Sequence, residues 1–152
     1  MYQVMVVDGG PMAASLIVNI IKRKYSDFEI MGTAYDGEEA LELMEEKGEP
    51  DVLITDIQMP VMNGLKLVEE TKKRYPEVIS VIVSGYQEFE YAKQAIAFGV
   101  CDYILKPIVP SEFSKLITRI EEKLRQKYYK ERNTLMHKMV NEIPIDEKTL
   151  RR

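Results

Sequence analysis

The sequence has few of the residues that form disulfides or histidine-based sites. Cys101 is the only cysteine and His137 the only histidine among 152 residues. A single cysteine excludes a disulfide within the chain and favours a reducing cytoplasm. No residue near His137 makes it a candidate ligand or catalytic group, and we interpret it as an exposed helix residue.

Long hydrophobic runs are also missing. No apolar run approaches the roughly 20 residues that cross a bilayer, and the N-terminus lacks a signal-peptide pattern. The chain is 45% hydrophobic and 30% charged, a composition typical of soluble globular proteins. We therefore expect a cytoplasmic protein with no membrane partner.

Basic residues are few in the first part of the chain and outnumber the acids in the last part. Residues 1–110 carry 10 Lys/Arg and 18 Asp/Glu, a net charge of −8, whereas residues 111–152 carry 11 and 7, a net charge of +4. The acidic body suggests a cation-binding or acidic site. The basic tail is weak support for a nucleic-acid surface.

Apolar runs of strand length alternate with helical patterns. The runs cover residues 4–7, 28–34, 52–54, 78–83 and 101–105. Five alternations predict an α/β fold with a doubly wound, five-stranded parallel sheet. Ser111 is the predicted cap of a last helix, whose apolar face comprises Phe113, Leu116, Ile117, Ile120 and Leu124. Beyond about Arg125 this apolar stripe lapses.

Four polar residues follow four of these strands: Asp8, Asp56, Ser84 and Lys106. In a sheet of order 2-1-3-4-5 these strand ends converge on one edge. Asp8 and a backbone carbonyl from the Asp56 loop suit Mg²⁺, and Asp56 suits attack on a phosphoryl group. Lys106 would neutralise the transferred charge and Ser84 would hydrogen-bond the phosphate. Any one of these residues alone would be a cap, a turn former or a surface residue, but their equivalent positions favour a shared site.

Four segments carry a resemblance to a known family. They are Val6-Val7-Asp8, Thr55–Pro60 with Asn63-Gly64, Ser84-Gly85-Tyr86 and Asp102–Pro107. Together they resemble the receiver domain of bacterial two-component response regulators. The resemblance covers residues 1–125 and implies the flavodoxin-like receiver fold. Residues 126–152 are then a helical linker or tail towards an output domain that these 152 residues do not include.

The resemblance implies a role for each matching residue. Asp56 matches the phosphoacceptor, Gln58 the residue whose backbone carbonyl binds the metal, Ser84 the switch hydroxyl, Tyr103 the switch aromatic and Lys106 the family's lysine. It also implies a cis peptide bond between Lys106 and Pro107.

The resemblance further implies partners rather than an enzymatic activity. A sensor histidine kinase would donate the phosphoryl group. The chain would form a homodimer through its fourth helix, fifth strand and last helix. Residues 84–96 are similar to receivers that precede an AraC-type DNA-binding domain, so DNA would be contacted only through such an output domain.

The sequence departs from the family pattern after the first strand. The family usually reads Asp-Asp-Glu-Pro there, whereas this chain has Gly9 and Gly10 in place of the second and third acids. Asp8 and Asp56 remain, so we expect weak Mg²⁺ binding. An alternative is a pseudo-receiver that acts as a dimerisation or partner-binding module without phosphorylation. A third reading, an aspartate-nucleophile phosphatase, would need an acid where Gln58 stands.

Overall fold

Five strands and five helices alternate along residues 1–85 and 89–142, which are the residues that the computed structural model describes. Tyr86 of the family motif and the tail after residue 142 lie outside them. The strands are β1 (Tyr2–Val7), β2 (Phe28–Ala34), β3 (Val52–Thr55), β4 (Ile79–Ser84) and β5 (Asp102–Leu105). The helices are α1 (Pro11–Lys24), α2 (Gly37–Lys47), α3 (Gly64–Arg74), α4 (Phe89–Ala97) and α5 (Pro110–Glu142).

The five strands form one parallel sheet of order β2-β1-β3-β4-β5, which confirms the predicted fold class. All four residues of β3 are buried, as the predicted burial of a central strand on both faces requires. In the register of the sheet, Val7 pairs with Thr55, and Ser84 pairs with Leu105. This register brings the carboxyl ends of the strands to one edge.

The chain divides into two compact units, residues 1–113 and residues 114–152. The first unit contains the sheet, α1 to α4 and the start of α5. One of its core clusters joins side chains of β1, β2, β3, α2 and α3: Met5, Val7, Ala34, Ala40, Leu41, Met44, Leu53 and Leu67. These apolar contacts hold the strands in the register that forms the functional edge.

The described part of the second unit, residues 114–142, is the continuation of α5. Its buried apolar side chains are Leu116, Ile117, Ile120 and Leu124, as the predicted helix face requires. The helix passes Arg125 without a break. Because the units divide within this helix, the predicted boundary after residue 125 stays a prediction. Among the described helices, none is both long and apolar enough to span a bilayer.

The start of α5 differs from the sequence prediction. The helix begins at Pro110, so Ser111 lies inside the first turn and is not its cap. The N–H of Phe113 donates to the carbonyl of Val109 at 2.9 Å, which closes that first turn. Proline suits a first helical position because its fixed φ matches the helix and its missing N–H would have no partner there.

Val61 has a left-handed backbone conformation in the loop after β3, with φ of 65°. A β-branched side chain is strained there, whereas asparagine tolerates the conformation. Because Val61 is 78% exposed, its replacement loses little burial. We expect Val61→Asn to raise the free energy of unfolding by about 1 kcal/mol, measured by urea denaturation. Val61→Thr, which is polar but keeps the β-branch at the same positive φ, should bring no such gain. Equal gains from Asn and Thr would contradict the strain.

Candidate functional site

Asp8 is held at the edge of the sheet by its own backbone and by the turn that follows. Its N–H donates to the carbonyl of Ala34 at 3.0 Å, which continues the pairing of β1 with β2. The N–H of Gly10 donates to Asp8 Oδ1 at 2.8 Å. The residue is only 3% exposed, so its second carboxylate oxygen requires a partner within the protein.

Asp56 stands at the corresponding end of β3. Its N–H donates to the carbonyl of Val7 at 2.9 Å, and the N–H of Ile57 donates to Asp56 Oδ1 at 2.7 Å. These bonds fix one carboxylate oxygen and direct the other, Oδ2, towards the same place as that of Asp8.

Lys106 joins the two carboxylates. Its Nζ lies 2.7 Å from Asp8 Oδ2 and 3.1 Å from Asp56 Oδ2. Burial disfavours the charged ammonium, but the hydrogen bonds and negative charges of the two aspartates outweigh it and raise the pKa of Lys106 above its usual 10.5. The lysine is therefore protonated at neutral pH.

Ser84 and Tyr103 lie on the neighbouring strands. Ser84 is fully buried at the end of β4, and its carbonyl accepts the N–H of Lys106 at 2.8 Å. Tyr103 is partly buried on β5 beside Ile82. The Lys106–Pro107 peptide bond is cis, as the resemblance predicted. The sheet thus brings Asp8, Asp56, Ser84 and Lys106 to one edge, and it sets Tyr103 earlier on β5.

The loop after Asp56 folds closely against that residue. The Thr55 hydroxyl donates to the carbonyl of Asp56 at 2.9 Å, and the N–H of Gly64 donates to the carbonyl of Ile57 at 2.8 Å. A Cβ on Gly64 would lie 1.8 Å from the Asp56 carbonyl oxygen. In the sequence, Asn63-Gly64 served only as part of the family resemblance, which did not predict this close backbone approach.

The donor atoms at this edge fit Mg²⁺. They are the carboxylates of Asp8 and Asp56, to which the family resemblance adds the carbonyl of Gln58, all oxygens of the kind that Mg²⁺ prefers. Across residues 1–85 and 89–142, no group of three or more Asp, Glu, His or Cys residues could hold a metal ion. Two carboxylates and one carbonyl therefore fit an ion that keeps several of its waters.

Gly9 occupies a place where a side chain would fit. A Cβ there would lie 3.5 Å from Pro60 Cδ, 3.7 Å from the Tyr35 carbonyl oxygen and 3.8 Å from the Gln58 carbonyl oxygen, all ordinary contacts. A Cβ on Gly10 would also make only ordinary contacts, the nearest being 3.5 Å from Asp8 Oδ1. The fold therefore does not require glycine at either position, and a side chain at position 9 would begin 3.8 Å from the Gln58 carbonyl oxygen.

One contact of the site was missed by the sequence interpretation. The Gln58 side-chain amide donates to the Tyr91 hydroxyl at 2.9 Å. The two residues are 33 positions apart and form no motif, so only the fold reveals the contact.

A parallel sheet of this order, with two aspartates bridged by a lysine at its carboxyl edge, defines the flavodoxin-like receiver class. The chain belongs to the response regulator receiver domain family, which residues 4–120 match. Members of this family are regulatory domains rather than canonical enzymes, generally bind Mg²⁺ at the phosphorylation site, pair with sensor kinases and often dimerise.

Similar proteins are described as transcriptional regulators. The uncharacterized transcriptional regulatory protein YesN of Bacillus subtilis strain 168 is 34% identical over 141 residues, which cover 91% of this chain and 38% of YesN. The transcriptional regulatory protein HptR of Staphylococcus aureus is 34% identical over 120 residues, which cover 79% of this chain and 46% of HptR. The chain thus spans less than half of the length of these two relatives.

Solved structures agree with this assignment. The REC domain of AraT, a response regulator from Geobacillus stearothermophilus, is 35% identical with a TM-score of 0.76, and the match covers 84% of this chain and 98% of that one. A LuxR-family DNA-binding response regulator from Staphylococcus aureus is 29% identical with a TM-score of 0.72, and the match covers 79% and 98%.

Proposed function

We propose that this chain is a phosphorylation-dependent switch in which Asp56 accepts a phosphoryl group from a sensor histidine kinase. The observation that carries the proposal is the Lys106 ammonium, held between the carboxylates of Asp8 and Asp56. This arrangement keeps a positive charge 3.1 Å from the Asp56 oxygen that would become bonded to phosphorus.

In the proposed reaction, Asp56 Oδ2 forms a P–O bond while the P–N bond of a phosphohistidine breaks. The departing imidazole nitrogen takes up a proton. Lys106 would stabilise the negative charge that gathers on the phosphoryl oxygens. Mg²⁺ held by Asp8, Asp56 and the Gln58 carbonyl would add positive charge at the same place.

The phosphate would bring roughly −1.5 to −2 charges and three acceptor oxygens. We propose that Ser84 moves inward to hydrogen-bond one of these oxygens. The Tyr103 side chain would then move inward as well. The rearrangement would change the surface of the fourth helix, fifth strand and last helix, through which a homodimer would form. An output domain of AraC type would carry the DNA binding and place the chain in cytoplasmic transcription regulation.

The second candidate is a pseudo-receiver, and the observation that favours it is that a Cβ at Gly9 or Gly10 would make only ordinary contacts. Because the fold does not require either glycine, the loss of the two acids affects only the metal site and leaves the fold unchanged. The phosphatase reading has the least support, because position 58 carries an amide that is bonded to Tyr91.

The proposed function is tested by incubating the chain with a small phosphodonor and Mg²⁺ and measuring its intact mass. We expect the parent to gain one phosphoryl group slowly and Asp56→Asn to gain none. The matched control is Asp36→Asn, because Asp36 caps α2 through its side chain and asparagine caps a helix equally well. It should gain the group as the parent does.

Two outcomes would decide between the candidates. A parent that gains no mass, even after both Gly9 and Gly10 are replaced by acids, rejects the receiver chemistry. A gain only in the acid-restored variant makes this chain a pseudo-receiver.

A further inference from the structure

Gln58 faces two different parts of the first unit with its backbone and its side chain. Its carbonyl oxygen lies 3.8 Å from the place that a Cβ on Gly9 would occupy, next to the turn that follows Asp8. Its side-chain amide donates a 2.9 Å hydrogen bond to the Tyr91 hydroxyl on α4. One residue therefore connects the metal-site loop with this helix.

Tyr91 is a well-ordered hydrogen-bond partner because its ring packs against the core. It is partly buried against a core cluster of the loop, α3, β4 and α4: Ile57, Leu65, Val68, Ile82 and Ala95. Tyr103 packs against the same cluster. The packed ring thus holds the Tyr91 hydroxyl in place. The exposed side chain of Gln58 is hydrogen-bonded to this ordered hydroxyl.

We propose that Tyr91 is a positioning residue for the metal site and that it acts through the Gln58 side chain. The bond to Tyr91 restricts the backbone rotations of residue 58 and so keeps its carbonyl directed at the ion. A ligand fixed before binding loses less conformational freedom when the ion arrives. Because Gly9 offers no carboxylate, this carbonyl supplies a larger share of the ligands than it would beside a third acid.

The same contact links the metal to α4. If the position of α4 affects the affinity for Mg²⁺, bound Mg²⁺ must affect α4 by the same coupling free energy. The inference rests on the proposed function only in that the ion occupies the site of the proposed phosphoacceptor. Neither measurement below requires phosphorylation.

The first measurement is a calorimetric Mg²⁺ titration of the parent, Tyr91→Phe, Gln58→Leu and the double variant. One exposed hydrogen bond predicts a dissociation constant about twofold to threefold higher in each single variant. The double variant should be no weaker than either single variant, because all three lack the same bond. The same series in the Gly9→Asp background provides tighter binding for the comparison.

The control is Tyr129→Phe, which removes a hydroxyl from an exposed tyrosine on α5 and should leave the Mg²⁺ affinity unchanged. Unchanged affinity in Tyr91→Phe, or single effects that add in the double variant, overturns the proposal.

The second measurement is hydrogen exchange of the amides of α4. Mg²⁺ should slow exchange across residues 89–97 in the parent and slow it less in Tyr91→Phe. Equal protection in both proteins also overturns the proposal. The phosphodonor experiment separates the two ideas. A parent without mass gain but with the expected affinity changes retains the positioning role and loses the proposed function, whereas mass gain without those changes does the reverse.

Discussion

Replacing Gly9 with aspartate is expected to tighten Mg²⁺ binding by on the order of tenfold to a hundredfold. The new carboxylate would extend from a Cβ that lies 3.8 Å from the Gln58 carbonyl oxygen, and that Cβ would make only ordinary contacts. It would raise the number of carboxylates at the site from two to three. The gain is measured by Mg²⁺ titration, and phosphorylation of Asp56 by a small phosphodonor should become faster in parallel.

The matched control is Gly9→Asn, which has the same shape as aspartate without its charge. It should tighten binding far less, because a neutral amide attracts a divalent cation weakly. An unchanged titration in Gly9→Asp, or equal gains in the two variants, would show that position 9 does not face the ion.

Gly64→Ala is expected to lower the free energy of unfolding by about 3 kcal/mol or more. The added Cβ would lie 1.8 Å from the Asp56 carbonyl oxygen and 2.8 Å from its carbonyl carbon. Both are backbone atoms, which cannot move aside as a flexible side chain can. The loop would have to open, which would strain the 2.8 Å hydrogen bond from the Gly64 N–H to the Ile57 carbonyl.

Urea denaturation measures this loss, and Gly85→Ala is its control. A Cβ at Gly85 meets no atom of residues 1–84 or 89–142 within 4 Å, and Gly85 has no positive φ. Its replacement should change the stability by less than about 0.5 kcal/mol. Similar stabilities for the two variants would contradict the close approach at Gly64.

The sheet could be predicted from the sequence because its strands are marked by apolar runs that end at polar residues. β3 is an apolar run that is buried throughout and ends at a carboxylate, and each neighbouring strand ends at a polar residue. Parallel strands of one sheet place such ends together. The prediction of the α5 cap at Ser111 was wrong by two residues, because the helix begins at Pro110 and its cap position is therefore Val109.

The internal contacts of the site were beyond the sequence. It suggested Lys106 as a partner for the transferred phosphate, but not that the lysine bridges Asp8 and Asp56 before any phosphate arrives. It assigned Gln58 a backbone role and gave no sign of Tyr91. Such contacts depend on side-chain directions and on residues far apart in the chain, which periodicity and spacing do not encode.

The bridging lysine also affects how far the thermal stability of the domain depends on Mg²⁺. Carboxylates crowded at one edge repel each other, and a bound cation would ordinarily relieve that repulsion. Here the Lys106 ammonium relieves it from within, at 2.7 Å and 3.1 Å from the two aspartates. A ligand at concentration L stabilises a fold by RT ln(1 + L/Kd), which is small when L does not exceed the dissociation constant Kd. If the site binds Mg²⁺ as weakly as proposed, the domain is expected to keep nearly the same melting temperature in chelator as in millimolar magnesium, because its internal cation stays in place when the metal is removed.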